Sequence, residues 1–201
     1  MGTALIARGL DPARERAPAW NLTRPEEVLA VHRAHVAAGA ELVLTNTFVG
    51  CSPEEAAAAL RLARESGARF VGGSLWAGLA DLPQQLAQLS GADCLWLESA
   101  TSSDQALRAV ALACAASDKP VVIGCSLPLA PLERLRKAGA AAAGYNCTPR
   151  PLDPGSADFL KPAAEGLSPE GWAQKVPRVR LAGGCCGTDA RYLAALRATA
   201  R

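Results

Sequence analysis

No stretch of this 201-residue chain stays apolar long enough to cross a bilayer, and its first residues contain no hydrophobic leader segment. A cytoplasmic protein is the expectation, carried by the chain's cysteine usage. An excess of charge of one sign is missing as well: 21 Lys and Arg face 19 Asp and Glu, a formal net charge of +2. Nothing in that balance suggests a nucleic-acid binder or a protein drawn electrostatically to a membrane surface. Internal repeats, low-complexity tracts and a clear second domain are also absent, so residues 1–201 read as one domain. Histidine is scarce. His32 and His35 are the 2 in the chain, both on a predicted helix, and neither reads as a metal ligand. What the chain does have is cysteine: 7 of them, an odd number spread over a mid-sized sequence, which favours a reducing compartment with thiols kept for metal binding or chemistry.

Half of the residues are hydrophobic, enough for a large core, and they fall in short apolar runs alternating with Ala-rich helical stretches. Residues 25–38 read as a helix, with Thr23 as cap, Glu26 and Glu27 at its positive end and Gly39 to stop it. Further helices are expected over 53–66, 82–89, 104–117, 129–138 and 188–200. Strands are expected over 42–44, 70–72, 94–97, 121–124, 141–145, 159–160 and 179–182, with a residual first strand over 4–7. Eight strands separated mostly by helices imply a parallel α/β sheet closing into a minimal (β/α)8 TIM-type barrel with trimmed helices and loops. An open doubly wound sheet is the structural alternative.

In a barrel the strand C-termini form the active face. The residues expected there are Thr45 to Phe48, Gly73 and Ser74, Glu98 and Ser99, Cys125 and Ser126, Asn146 and Cys147, Lys161 and Pro162, and Gly183 to Gly187. This set is polar, small or thiol-bearing, unlike the runs before it. Cys147 and the pair Cys185-Cys186 each sit where an apolar run meets a turn. Three sulfurs brought together from two strand ends would make a zinc site with one coordination position open, the arrangement of a catalytic metal. The bland alternative is three packed thiols. A glycine pair such as Gly183-Gly184 can also cradle phosphate at a barrel's last strand, but two adjacent thiols serve no phosphate. Cys94 and Cys114 read as small hydrophobes inside a strand and a helix; Cys51 and Cys125 are left without a role.

Four segments carry a family resemblance: His32–Phe48 (HRAHVAAGAELVLTNTF), Gly91–Ser99 (GADCLWLES), Gly144–Thr148 (GYNCT) and Leu181–Thr188 (LAGGCCGT). Together they resemble the homocysteine S-methyltransferases, the family of betaine–homocysteine methyltransferase and of the homocysteine module of cobalamin-dependent methionine synthase. The resemblance spans nearly the whole chain with its connections shortened. It implies Zn2+ held by Cys147, Cys185 and Cys186. It implies that Glu98, the candidate catalytic residue, holds the homocysteine amino group, and that Phe48 lines the donor pocket with Trp20 near it. Asn46, Thr47, Ser74 and Asn146 complete the expected substrate-binding set. The family's opening Asp would lie three residues before Met1; either the start lies upstream or Glu98 carries that role alone. Ser99 and Val49 stand where the betaine enzyme has donor contacts, which argues against betaine.

The reaction so implied moves a methyl group from a small sulfonium donor, of the S-methylmethionine or S-adenosylmethionine type, to homocysteine, giving methionine. A metal would remove the thiol's proton, alignment would supply much of the rate, and an aromatic face could hold the cationic donor. Two alternatives remain: a homocysteine-activating subunit taking methyl from a separate corrinoid protein, and a non-catalytic zinc or thiol binder.

Overall fold

The computed structural model describes residues 1–126, 132–148 and 155–199. Seven strands, β1 (Leu42–Leu44), β2 (Phe70–Trp76), β3 (Cys94–Ala100), β4 (Val121–Cys125), β5 (Ala142–Asn146), β6 (Phe159–Lys161) and β7 (Leu181–Ala182), pair in parallel and in sequence order. They curl into a part-closed TIM-like barrel. The helices are α1 (Gly2–Ile6), α2 (Trp20–Thr23), α3 (Pro25–Ala37), α4 (Pro53–Glu65), α5 (Leu82–Gln88), α6 (Ser103–Ala116), α7 (Leu132–Lys137), α8 (Pro169–Ala173) and α9 (Ala190–Thr199).

Local chemistry accounts for the element ends. Pro53 opens α4 at a position whose N–H needs no helical partner. Ser52 accepts from the Glu55 N–H while the Glu55 carboxylate accepts from the Ser52 N–H, a closed capping box. Gly39 and Gly67 turn the chain back at φ +98° and +82° after α3 and α4, a region that favours glycine.

Several expectations change. Residues 4–7 were expected as a strand but belong mostly to helix α1. Leu5 there is fully buried with Leu10, Trp20, Val28, Val31 and Leu62, a cluster an added sheet strand could not join. Thr23 does not cap α3; its hydroxyl donates to the Ala19 carbonyl, inside the preceding turn. Helix α8, built on a Ser168 cap, was not expected. The strands run further than their apolar cores suggest, β2 to Trp76 and β3 to Ala100. The start of the expected 129–138 helix, residue 200 of the last one, and half of the short β5–β6 connection lie outside the described residues.

Strand alternation sorts the side chains. On the outer face, Leu95, Leu97, Val121, Ile123 and Ala143 join Leu82, Leu86, Ala109, Val110 and Leu135 of the helices in the main core. The opposite phase holds Cys94, Trp96, Val122 and Phe159, a second cluster with Leu42, Leu44 and Ala142. The Trp96 and Phe159 rings lie 4.9 Å apart. Room for them comes from glycine: a Cβ on Gly144 would stand 2.2 Å from the Phe159 carbonyl oxygen. Two residues further along each strand, in the same phase, come Glu98 above Trp96, Lys161 above Phe159 and Asn146 above Gly144. The fold therefore lifts a polar layer directly onto an aromatic floor.

Candidate active site

Cys147 follows β5 directly, and Cys185 and Cys186 follow β7. Their three sulfurs all lie within 4.8 Å of one another, with Cys147 and Cys186 at 3.0 Å. Backbone pairing across β6 sets this approach. The Cys147 N–H donates to the Lys161 carbonyl at 3.0 Å, and the Cys185 N–H to the Pro162 carbonyl at 3.0 Å. Cys147 takes a left-handed φ of +52°, turning its thiol back across the strand end. At Gly184 a Cβ would meet the Thr188 hydroxyl at 2.2 Å, so only glycine lets Thr188 reach the Cys185 carbonyl.

Electrostatics in the trio are unbalanced. Hydrogen bonds to Cys185 and then Cys186, with burial, push the Cys147 thiol far above its ordinary range. Bonds from Cys147 and then Cys185 pull Cys186 strongly down. Negative charge on one of these two sulfurs thus resists charge on the other. A divalent cation removes that conflict. Sulfurs at about 2.3 Å from a tetrahedral ion would be about 3.8 Å apart, which falls within the span of the cluster. Cys147, Cys185 and Cys186 could hold a metal, and no other such group occurs among the described residues.

Glu98 lies in the polar layer, nearly fully buried. Its Oε1 accepts from the Ser74 hydroxyl at 2.8 Å and its Oε2 from Lys161 Nζ at 2.5 Å. The β3–β4 register shifts between Leu97 and Ala100, and Ser99 there has φ +60°. Asn146 holds this bulge: its Oδ1 accepts from the Ser99 N–H and its Nδ2 donates to the Ser99 hydroxyl, both at 3.0 Å. The same Nδ2 lies 4.0 Å from the Cys185 sulfur. One buried amide therefore ties the carboxylate strand to the thiol cluster. Gly124 leaves it space, since a Cβ there would stand 2.5 Å from Asn146 Oδ1.

Other expected residues are placed differently. Thr47 is buried and donates to the Ser74 carbonyl at 2.7 Å. Asn46 points to the Ala17 carbonyl and to Asn21 Oδ1, at 2.7 and 3.1 Å. Both shape the β1 loop. Phe48, 38% exposed, stands at the mouth, and its carbonyl accepts from the Trp76 N–H at 2.8 Å. Trp20 is not brought to the site. It is fully enclosed in the α1–α4 cluster, with its indole N–H on Glu15 at 2.7 Å and Arg24 over its ring. Burial pushes Cys51, Cys94 and Cys125 up to about 11, while Cys114, expected inside, is exposed. Sequence reasoning placed Lys161 at a strand end without giving it a role. A cation in the otherwise apolar strand Phe159-Leu160-Lys161 was the available signal.

Residues 1–75 match the homocysteine S-methyltransferase family. No curated protein matches the chain. Among solved structures, the homocysteine methyltransferase MmuM from Escherichia coli is similar in three forms. The apo form is 22% identical with a TM-score of 0.74, covering 98% of this chain and 92% of that one. The metallated form is 19% identical with a TM-score of 0.74, and the oxidized form 20% identical with a TM-score of 0.75; each covers 99% of this chain and 93% of that one. At these identities the likeness establishes the fold. Among the described residues no helix is long and apolar enough to cross a membrane.

Proposed function

We propose that the protein is a zinc-dependent homocysteine S-methyltransferase, a single homocysteine-binding barrel domain of the cytoplasm. The observation that carries this reading is the convergence of Cys147, Cys185 and Cys186 at one end of the sheet, tied through Asn146 to the strand that bears Glu98. The family match over residues 1–75 supports it. A Zn2+ ion held by the three cysteines would keep an incoming thiol deprotonated at neutral pH.

The chain's own residues do the rest. Glu98, fixed from both sides by Ser74 and Lys161, receives the substrate ammonium and sets its sulfur near the cysteines. Asn146 keeps the Ser99 bulge from drifting, which holds the carboxylate in place. Phe48 and Trp76, each 38% exposed at the mouth, offer aromatic faces to a cationic methyl donor. The transfer is an in-line displacement: sulfur uses a lone pair to bond the methyl carbon, and the breaking carbon–sulfonium bond leaves its pair on the departing sulfide. Charge cancels in the transition state, so positioning matters more than proton transfer.

Methionine formation from homocysteine, followed with S-methylmethionine, S-adenosylmethionine, betaine and a methylated corrinoid protein in turn, tests the proposal. Turnover is expected with a sulfonium donor and not with betaine. Turnover with the corrinoid protein alone would make the chain a homocysteine-activating subunit, and none with any donor would leave a zinc or thiol binder.

A further inference from the structure

We infer that Lys161 is a specificity-determining residue: with Glu98 it forms a two-charge clamp for the zwitterionic head of an α-amino acid. The inference rests on the proposed function and adds to it the residue that would hold the α-carboxylate of homocysteine. Lys161 projects from β6, between the strand ends that bear Cys147 and Cys185. Its side chain and that of Glu98 are 14% and 9% exposed, so the pair faces little competition from water. Burying two such charges is costly, and a pair of this kind seldom stabilises a fold over apolar replacements. A binding role accounts for it.

Hydrogen-bond capacity shows what the clamp can take. A carboxylate accepts about four bonds; Glu98 receives one from Ser74 and one from Lys161, each on a different oxygen. Capacity remains for an ammonium. An ammonium such as Lys161 has three N–H donors, of which one serves Glu98, while the Trp96 ring lies 5.5 Å below Nζ. Donors remain for a carboxylate. A zwitterion laid across the pair puts its ammonium on Glu98 and its carboxylate on Lys161, with the buried α-ammonium of Met1 also within electrostatic reach of both, and neither buried ion loses its partner. A thiol with an amine alone would leave Lys161 no better satisfied. A thiol with a carboxylate alone would fail Glu98 in the same way.

Titration calorimetry on the zinc-loaded protein tests this with L-homocysteine, 3-aminopropane-1-thiol (no carboxylate) and 4-sulfanylbutanoate (no ammonium). The wild type should bind homocysteine at least about tenfold more tightly than either. Lys161→Met should cut the preference for homocysteine over 3-aminopropane-1-thiol by about tenfold or more, and Lys161→Arg should keep most of it. A merely structural lysine would instead change all three thiols together. Since Lys161→Met strands a buried carboxylate, the double variant Lys161→Met/Glu98→Gln serves as the folded control and should show no preference among the thiols. A preference for homocysteine over 3-aminopropane-1-thiol that survives in Lys161→Met or in the double variant overturns the inference, as does a wild type without one. If the preference behaves as described but no donor supports methyl transfer, the reaction proposed above falls while the clamp stands.

Discussion

His32 is almost wholly enclosed on α3, and among the described residues neither of its ring nitrogens has a hydrogen-bond partner. Burial, and then the neighbouring His35, pull its pKa down to about 3. The folded protein therefore keeps the ring neutral at pH values where the unfolded chain, near 6.5, takes up a proton. This contribution to stability is complete above about pH 6.5 and is lost progressively as pH falls toward 3. Between pH 7 and 5 the loss should be about 2 kcal/mol from this residue. Urea unfolding at the two pH values checks it: His32→Leu should cost little at pH 7, where it also removes two unpaired polar atoms, and should shrink the loss at pH 5. An unchanged pH slope in the variant would contradict the assignment. The sequence had no means of showing this burial, because the α3 pattern alone leaves the side facing the sheet undecided. It was likewise silent on the Lys161–Glu98 contact, which joins residues 63 apart in the chain. The three cysteines, by contrast, were legible because each stands just beyond a strand, and strand ends meet on one face of a barrel.

Helix α4 illustrates how an element reaches the site without touching it. Glu55 closes the capping box at Ser52 and also grips Arg16 through both oxygens, at 3.0 and 2.7 Å. Its backbone carbonyl and that of Asn46 both accept from Asn21 Nδ2, at 3.2 and 3.0 Å, which links the α4 start to the loop bearing Thr47 and Phe48. Ser52→Ala should cost about 1 kcal/mol in chemical denaturation, the usual cost of a lost cap. Glu55→Ala removes the cap's second half and the Arg16 pair together, so it should cost two- to threefold more. Equal costs for the two would mean that the Arg16 contact contributes nothing. The helix over 53–66 was readable in the sequence, while the Ser52–Glu55 box and its tie to Arg16 show only in the fold. The expected first strand failed for the opposite reason: residues 4–7 are apolar enough for either structure. Burial against Trp20, Val28 and Leu62, all distant in sequence, decided for helix. That same packing withdrew Trp20 from the mouth, where a motif comparison had placed it.

At the scale of the whole molecule, the alternation of strands and helices made the parallel, TIM-like order readable, while the number of strands and the curl of the sheet depended on contacts between chain ends. Closely spaced thiols at the sheet's C-terminal edge are costly to ionise together, so the folded state without a cation carries an unresolved conflict at Cys147 and Cys186. A bound ion resolves it, and by mass action it adds stability to the fold as a whole. The central claim is that three sulfurs grip one ion. Elemental analysis of the purified protein, alongside Cys147→Ser, Cys185→Ser and Cys186→Ser, tests it most directly. The account predicts about one zinc per chain in the parent and almost none in any of the three variants; a parent free of zinc after incubation with the metal, or variants that hold it as well as the parent, would contradict it.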